Sequence, residues 1–172
     1  MSSKPHIWLG HGASGGPETM QVYVKGLGKL GITAGALRLP KGSAERATVA
    51  LREQVGEPLS KVVIGGHSFG GRVSSLVAAE EAPAGLVLLS YPLHRPGHPE
   101  ELRTQHWEKI GCPVLLLSGD RDPFAKIELL TESVKLLGDA TLHIYPGLGH
   151  GLQSQAADVC RRIADFVSSL KK

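Results

Sequence analysis

The sequence predicts an α/β fold, a parallel sheet of about six strands with helices on both faces. Three observations carry this. Short apolar runs recur at residues 7–9, 62–64, 86–89 and 114–117, and the last three, β-branched or leucine-rich, are the mark of buried strands. Polar or amphipathic stretches of helical period alternate with them, as β-α-β units require. Residues 61–79, KVVIGGHSFGGRVSSLVAA, pass from strand to helix through one tight, glycine-flanked turn.

The elements follow in order. Ile7-Trp8-Leu9 is a first short strand, and Gly10 to Gly16 a loop after it. Pro17 and Glu18 stand where a helix begins, with proline in the first turn and an acid near the positive end of the dipole. That helix runs to Leu30, and Gly31 stops it. Residues 32–39 form a weaker strand, Pro40-Lys41-Gly42 a turn, and Ser43 caps a second helix reaching Val55. The strand at 62–64 and its helix end before Pro83. Strands at 86–89, 114–117 and 141–145 complete the sheet. In the last helix Ala156, Val159, Ile163, Phe166, Val167 and Leu170 share one face. Residues 91–111 are the one long connection, with 102–110 expected to be helical inside it.

Gly66-His67-Ser68-Phe69-Gly70 matches G-x-S-x-G between a strand and a helix. Such a turn holds its central residue in strained backbone and needs near-absent side chains two positions to either side. It lifts the Ser68 hydroxyl above the carboxyl end of the sheet. A serine becomes nucleophilic only when a base takes its proton and an acid orients the base. Both partners are expected later in the chain, at strand ends. Ser118-Gly119-Asp120-Arg121-Asp122 follows one strand, and Pro146-Gly147-Leu148-Gly149-His150 follows the last. Asp122, further from its strand and fixed by Pro123, is preferred as the acid; Asp120 is expected to satisfy backbone groups or Arg121. Among eight histidines, His150 alone stands just beyond the last strand. His143 reads as a packed core residue, His67 as pointing away from the serine, and His94, His98 and His106 as surface or pocket-lining.

Acyl transfer also needs donors for a developing oxyanion. The N–H of Phe69 is one, and the loop His11-Gly12-Ala13-Ser14-Gly15-Gly16 offers Ala13 or Ser14 for the second. A phosphate-cradling role for that loop is disfavoured, because no G-x-x-x-x-G-K-[ST] is present and Lys25 is remote. Residues 91–107 are expected to wall the pocket, with His94, Arg95 and Arg103 able to meet an anionic group on the substrate.

Composition bounds the rest. At 172 residues, with 41% hydrophobic and 20% charged, the chain reads as one globular domain over residues 1–172. The net charge is +3, with only Arg161-Arg162 and Lys171-Lys172 adjacent, so no basic stripe suggests nucleic acid. No His/Cys/Asp/Glu group has metal-ligand spacing, and no cofactor or metal is required. Cys112 and Cys160 fit reduced thiols, and MSSKPHIWLG has too short an apolar run for a leader. A cytoplasmic protein with no membrane association is expected.

GHSFG, HGASGG, GDRDPF and GLGHG, in that order, resemble the α/β-hydrolase superfamily across nearly the whole chain. Gly70-Gly71-Arg72-Val73-Ser74-Ser75, residues 90–97 and residues 102–106 are similar to the small group related to dienelactone hydrolases, in the branch with the testis-expressed hydrolase-like proteins and a subunit of the NSL chromatin complex. The resemblance implies a minimal hydrolase fold without a cap domain or the first hairpin of the full fold. It implies the triad Ser68, Asp122 and His150. Two classes of function follow: a serine hydrolase on small or exposed carboxylic esters, or a binding or scaffold protein on the same fold. A thioesterase, peptidase or perhydrolase would share the triad and differ in substrate.

Overall fold

The computed structural model describes residues 6–170. Lys171-Lys172 and the first five residues of the amino-terminal stretch lie outside the described residues. Six parallel strands form one sheet: β1 (His6–Gly10), β2 (Ala34–Leu37), β3 (Val62–His67), β4 (Gly85–Leu89), β5 (Val114–Gly119) and β6 (Ala140–Tyr145). Their spatial order is β2-β1-β3-β4-β5-β6. The chain steps outward from β1 to β2, then returns to place β3 on the other side of β1. The crevice between the carboxyl ends of β1 and β3 is therefore the switch point where open α/β sheets hold ligands.

Among the described residues five α-helices surround the sheet: α1 (Gln21–Lys29), α2 (Ala44–Val55), α3 (Phe69–Glu80), α4 (Ile127–Ser133) and α5 (Ala156–Ser169). Two cores result, one per face. Tyr23 and Leu27 of α1 and Val159, Ile163 and Val167 of α5 pack against Ile7, Leu9, Val63, Val87 and Leu117. Leu51 of α2, Val73 and Val77 of α3 and Leu130 of α4 pack against Ile64, Leu86, Leu88 and Leu116. The alternation of strand side chains between two clusters explains why the central strands read as unbroken apolar runs: both faces are covered.

Helix ends follow their residue chemistry. Ser43 accepts a hydrogen bond from the Arg46 N–H at 3.2 Å, capping α2. Pro17 to Met20 form a short 3-10 turn that leads into α1. Two expectations are corrected. Residues 102–110 are not helical beyond a 3-10 turn at Trp107–Lys109; the Arg103 N–H instead bonds the Leu93 carbonyl, and the Tyr91 hydroxyl bonds the Arg103 carbonyl. His143 is no core residue. It is half-buried on the edge strand, its ring edge-on to Tyr145 at 4.7 Å. Among the described residues, no helix is long and apolar enough to cross a membrane.

Candidate active site

Ser68 sits in the turn between β3 and α3 with φ 51° and ψ −114°. This is a strained conformation for a residue with a side chain, of the order of 1–3 kcal/mol. The surroundings enforce it. The Ser68 N–H bonds the Leu89 carbonyl at 2.9 Å, and the Arg72 N–H bonds the Ser68 carbonyl at 3.0 Å. The flanking glycines are set by close approach of β1: a Cβ on Gly66 or Gly70 would lie 2.3 or 2.2 Å from the Gly10 carbonyl oxygen. Only hydrogen fits at either position, so the end of β1 can press directly on the turn.

Three sequence-predicted residues meet at the carboxyl edge. The Ser68 hydroxyl donates to His150 Nε2 at 2.8 Å, and His150 Nδ1–H donates to Asp122 Oδ2 at 2.8 Å. The imidazole is thus held with its proton on Nδ1 and its lone pair facing the serine. Asp122 presents no side-chain surface to solvent, whereas a quarter of the His150 side chain is exposed. The other Asp122 oxygen accepts the Phe124 N–H at 2.8 Å, so both oxygens of the buried carboxylate have a partner. The Phe124 ring stacks on the His150 ring, with centroids 4.4 Å apart. Asp120 accepts the Gly147 N–H at 2.8 Å, tying the acid loop to the loop that carries His150.

The β1 loop reaches the same cleft. Gly15 N–H closes a turn on the Gly12 carbonyl, and the N–H groups of Ala13 and Ser14 have no backbone acceptor among the described residues. The N–H of Phe69, first residue of α3, has no intrahelical acceptor either. Ala13, Ser14 and Phe69 line one cleft of about 620 Å³ with Ser68, His150, His67, Phe124, Arg72 and Arg103. His11, buried, fixes the root of the loop: Nε2 accepts the Leu39 N–H at 3.0 Å, so Nδ1 carries the proton that bonds the Gly12 carbonyl.

The residues expected to receive an anion divide. Arg103 lines the cleft; His94 and Arg95 do not. His94 is buried and spent on backbone, accepting the Lys126 N–H and donating to the Arg95 carbonyl, which staples the long connection to the acid loop. Arg95 is exposed and paired with Glu101 at 2.6 Å. His67, expected to turn away, instead lines the cleft and bonds the His150 backbone carbonyl at 2.8 Å. Arg72 was not singled out in the sequence, yet it stands four residues after Ser68, one helical turn along the same face. That spacing was the available signal.

The cysteines lie apart from this cleft and are buried. Burial pushes the Cys112 thiol up to about 11 and raises that of Cys160. Neither is a thiolate at neutral pH.

Solved structures share this architecture at low identity. A predicted CIB-like hydrolase from Thermoplasma acidophilum is 19% identical with a TM-score of 0.78, covering 98% of this chain and 88% of its own. A monoacylglycerol lipase from Paleococcus ferrophilus is 17% identical with a TM-score of 0.80, covering 98% and 97%. Est1E from Butyrivibrio proteoclasticus, with ferulic acid bound, is 19% identical with a TM-score of 0.77, covering 96% and 89%. These likenesses establish the fold. A family model described as "Alpha/beta hydrolase domain" matches residues 35–162, from β2 through the turn at Ser68 to the middle of α5. With well over half of the chain inside that match, the protein belongs to the alpha/beta hydrolase domain family.

Proposed function

We propose that the protein is a serine hydrolase that cleaves carboxylic esters through an acyl-enzyme. The observation that carries this reading is the pair of 2.8 Å hydrogen bonds linking Ser68, His150 and Asp122. Ser68 Oγ attacks the acyl carbon while its proton passes to His150 Nε2. Asp122 stabilises the imidazolium through Nδ1–H. The oxyanion formed from the carbonyl oxygen accepts the N–H groups of Phe69 and of Ala13 or Ser14. Collapse breaks the bond to the alcohol, whose oxygen takes the proton from His150. Water then adds to the acyl carbon, its proton going to His150, and Ser68 leaves with that proton as the acid is released. No metal or cofactor enters these steps.

A cleft of about 620 Å³ suits small or exposed acyl groups. The monoacylglycerol lipase among the structural relatives supports ester chemistry over other acyl transfers. Within the family, the finer kinship we infer is with the dienelactone-hydrolase-related group, on the strength of residues 70–75, 90–97 and 102–106. A cytoplasmic location fits its reduced, buried thiols.

The test is intact-mass analysis after a fluorophosphonate probe, on the parent, Ser68→Ala and His150→Ala. One adduct on the parent, absent from Ser68→Ala and strongly slowed in His150→Ala, is expected. No adduct on folded parent would replace this reading with a binding or scaffold role.

A further inference from the structure

Two guanidinium groups share the cleft with Ser68, and among the described residues neither forms an ion pair. Arg72 projects from α3 and Arg103 from the long connection between β4 and β5; both line the cleft. Among the described residues, no carboxylate lies within ion-pair distance of either. The nearby carboxylates have other engagements: Asp122 is turned to His150, and Glu101 to Arg95 at 2.6 Å. Arg72 Nε is buried with no hydrogen-bond partner among the described residues. Among the described residues the Arg103 guanidinium donates once, to the Pro92 carbonyl, at a long 3.4 Å.

Holding two like charges together, partly out of water and unpaired, opposes folding. The opposition is visible in Arg103, whose protonated form is disfavoured by burial first and by Arg72 second. Arg72 likewise helps push His106 down to about 4, after burial. The rest of the cleft lining brings no compensating negative charge: it is glycine, uncharged polar, apolar, and the two histidines. The main chain that carries both side chains is fixed. Arg103 is anchored at both main-chain groups, its N–H to Leu93 and its carbonyl to the Tyr91 hydroxyl at 2.7 Å. Arg72 is anchored by the same helical turn that holds Ser68. A pair of forked donors carried on anchored main chain and lining one cavity is what a carboxylate or phosphate oxygen pair recognises.

We propose that Arg72 and Arg103 form an anion subsite, and that the substrate is an ester carrying a carboxylate or phosphate group elsewhere in the molecule. This rests on the hydrolase reading above and assigns its substrate class. The anionic group takes no part in bond breaking; it docks on the two guanidiniums and places the neutral ester carbonyl at Ser68. Bound there, a carboxylate offsets one of the two positive charges and a phosphate dianion offsets both.

The experiment compares esters that differ only in charge. Mono-4-nitrophenyl adipate is set against its methyl ester for an anion on the acyl side, and 4-acetoxybenzoate against methyl 4-acetoxybenzoate for the alcohol side. Glutarate and inorganic phosphate, as competitors, separate carboxylate from phosphate recognition. In at least one pair kcat/KM is expected to favour the anion by about tenfold, the effect of one charge-assisted contact. That ratio should fall towards one in Arg72→Gln and in Arg103→Gln, and be partly restored in Arg103→Lys. A merely structural arginine would not change the ratio. A ratio near one in the parent, or one that both substitutions leave unchanged, overturns the subsite. Turnover of neutral esters with a fluorophosphonate adduct and no charge preference overturns the subsite alone. If no ester is cleaved and no adduct forms, the hydrolase reading fails, and calorimetric titration with glutarate and phosphate decides the subsite. Binding lost in both Gln variants then upholds it; no binding to the folded parent overturns it. Should Arg72→Gln fail to fold by circular dichroism, Arg103→Gln and Arg103→Lys settle the outcome.

Discussion

The imidazole of His67 donates from Nε2 to the main-chain carbonyl of His150 at 2.8 Å. The two rings lie 5.0 Å apart and tilted by 54°. The residue preceding the proposed nucleophile therefore holds the loop that carries the proposed base. Burial lowers the His67 pKa, which keeps the ring neutral and its other nitrogen free of a proton. His67→Phe preserves the ring and deletes the donor. We expect kcat to fall by about tenfold with KM little changed, since a small displacement of a catalytic group is felt mainly in the chemical step. Steady-state kinetics on a neutral ester checks this; an unchanged kcat would mean that the loop holds itself.

Asp122→Asn keeps the Phe124 N–H bond through its amide oxygen and loses the acceptor that His150 Nδ1–H requires. The imidazole is then free to take the wrong tautomer. A loss of about 10³- to 10⁴-fold in kcat is expected, with little change in the thermal midpoint. Activity and circular dichroism on the same sample separate the two effects.

Gly70→Ala would place a methyl group 2.2 Å from the Gly10 oxygen and 2.3 Å from its carbonyl carbon. Backbone cannot swing aside as a side chain can, so a destabilisation of about 3 kcal/mol or failure to fold is expected. Gly28→Ala on α1 meets nothing within 4 Å and is the control. It should stabilise by about 0.5–1 kcal/mol through helix propensity. Urea midpoints of both variants against the parent give the comparison.

His106 supplies a pH signature. Burial, then the field of Arg72, takes its imidazole from 6.5 down to about 4. The unfolded chain gains the proton near the upper value and the folded protein only near the lower. Above that window both states are neutral and the residue contributes nothing. As pH falls through it the unfolded state binds more protons, and stability is lost. His106→Gln is expected to flatten this part of the stability curve, measured by urea unfolding between roughly pH 7 and 4.5. An identical slope in parent and variant would contradict the assignment.

The strands were legible because β3, β4 and β5 are buried on both faces and leave uninterrupted apolar runs. The turn at Ser68 was legible because its glycines answer a steric demand, and the order of Ser68, Asp122 and His150 along the chain follows the order of strand ends. Other features depended on contacts between distant segments. The seven residues of α4 are too few to display a helical period. Residues 102–110 carry a helical pattern, but Leu93 and Tyr91 claim the main chain of Arg103 first. Arg72 looked like one more polar position of a helix, and His94 like a pocket residue. Only the packed connection shows that one faces the cleft while the other bonds backbone on both sides.

The hydrogen bond from Ser68 to His150 joins groups 82 residues apart in the chain. During synthesis the turn and its serine emerge long before the loop that carries the imidazole. A nascent chain that has completed β3 and α3 has a hydroxyl without a base, and one that has completed β5 adds an acid without anything to orient. On the hydrolase reading, reactivity towards esters arrives last and all at once, when β6 docks on β5. The cell is thereby spared a half-made hydrolase, and appearance of probe labelling becomes a clock for completion of the sheet.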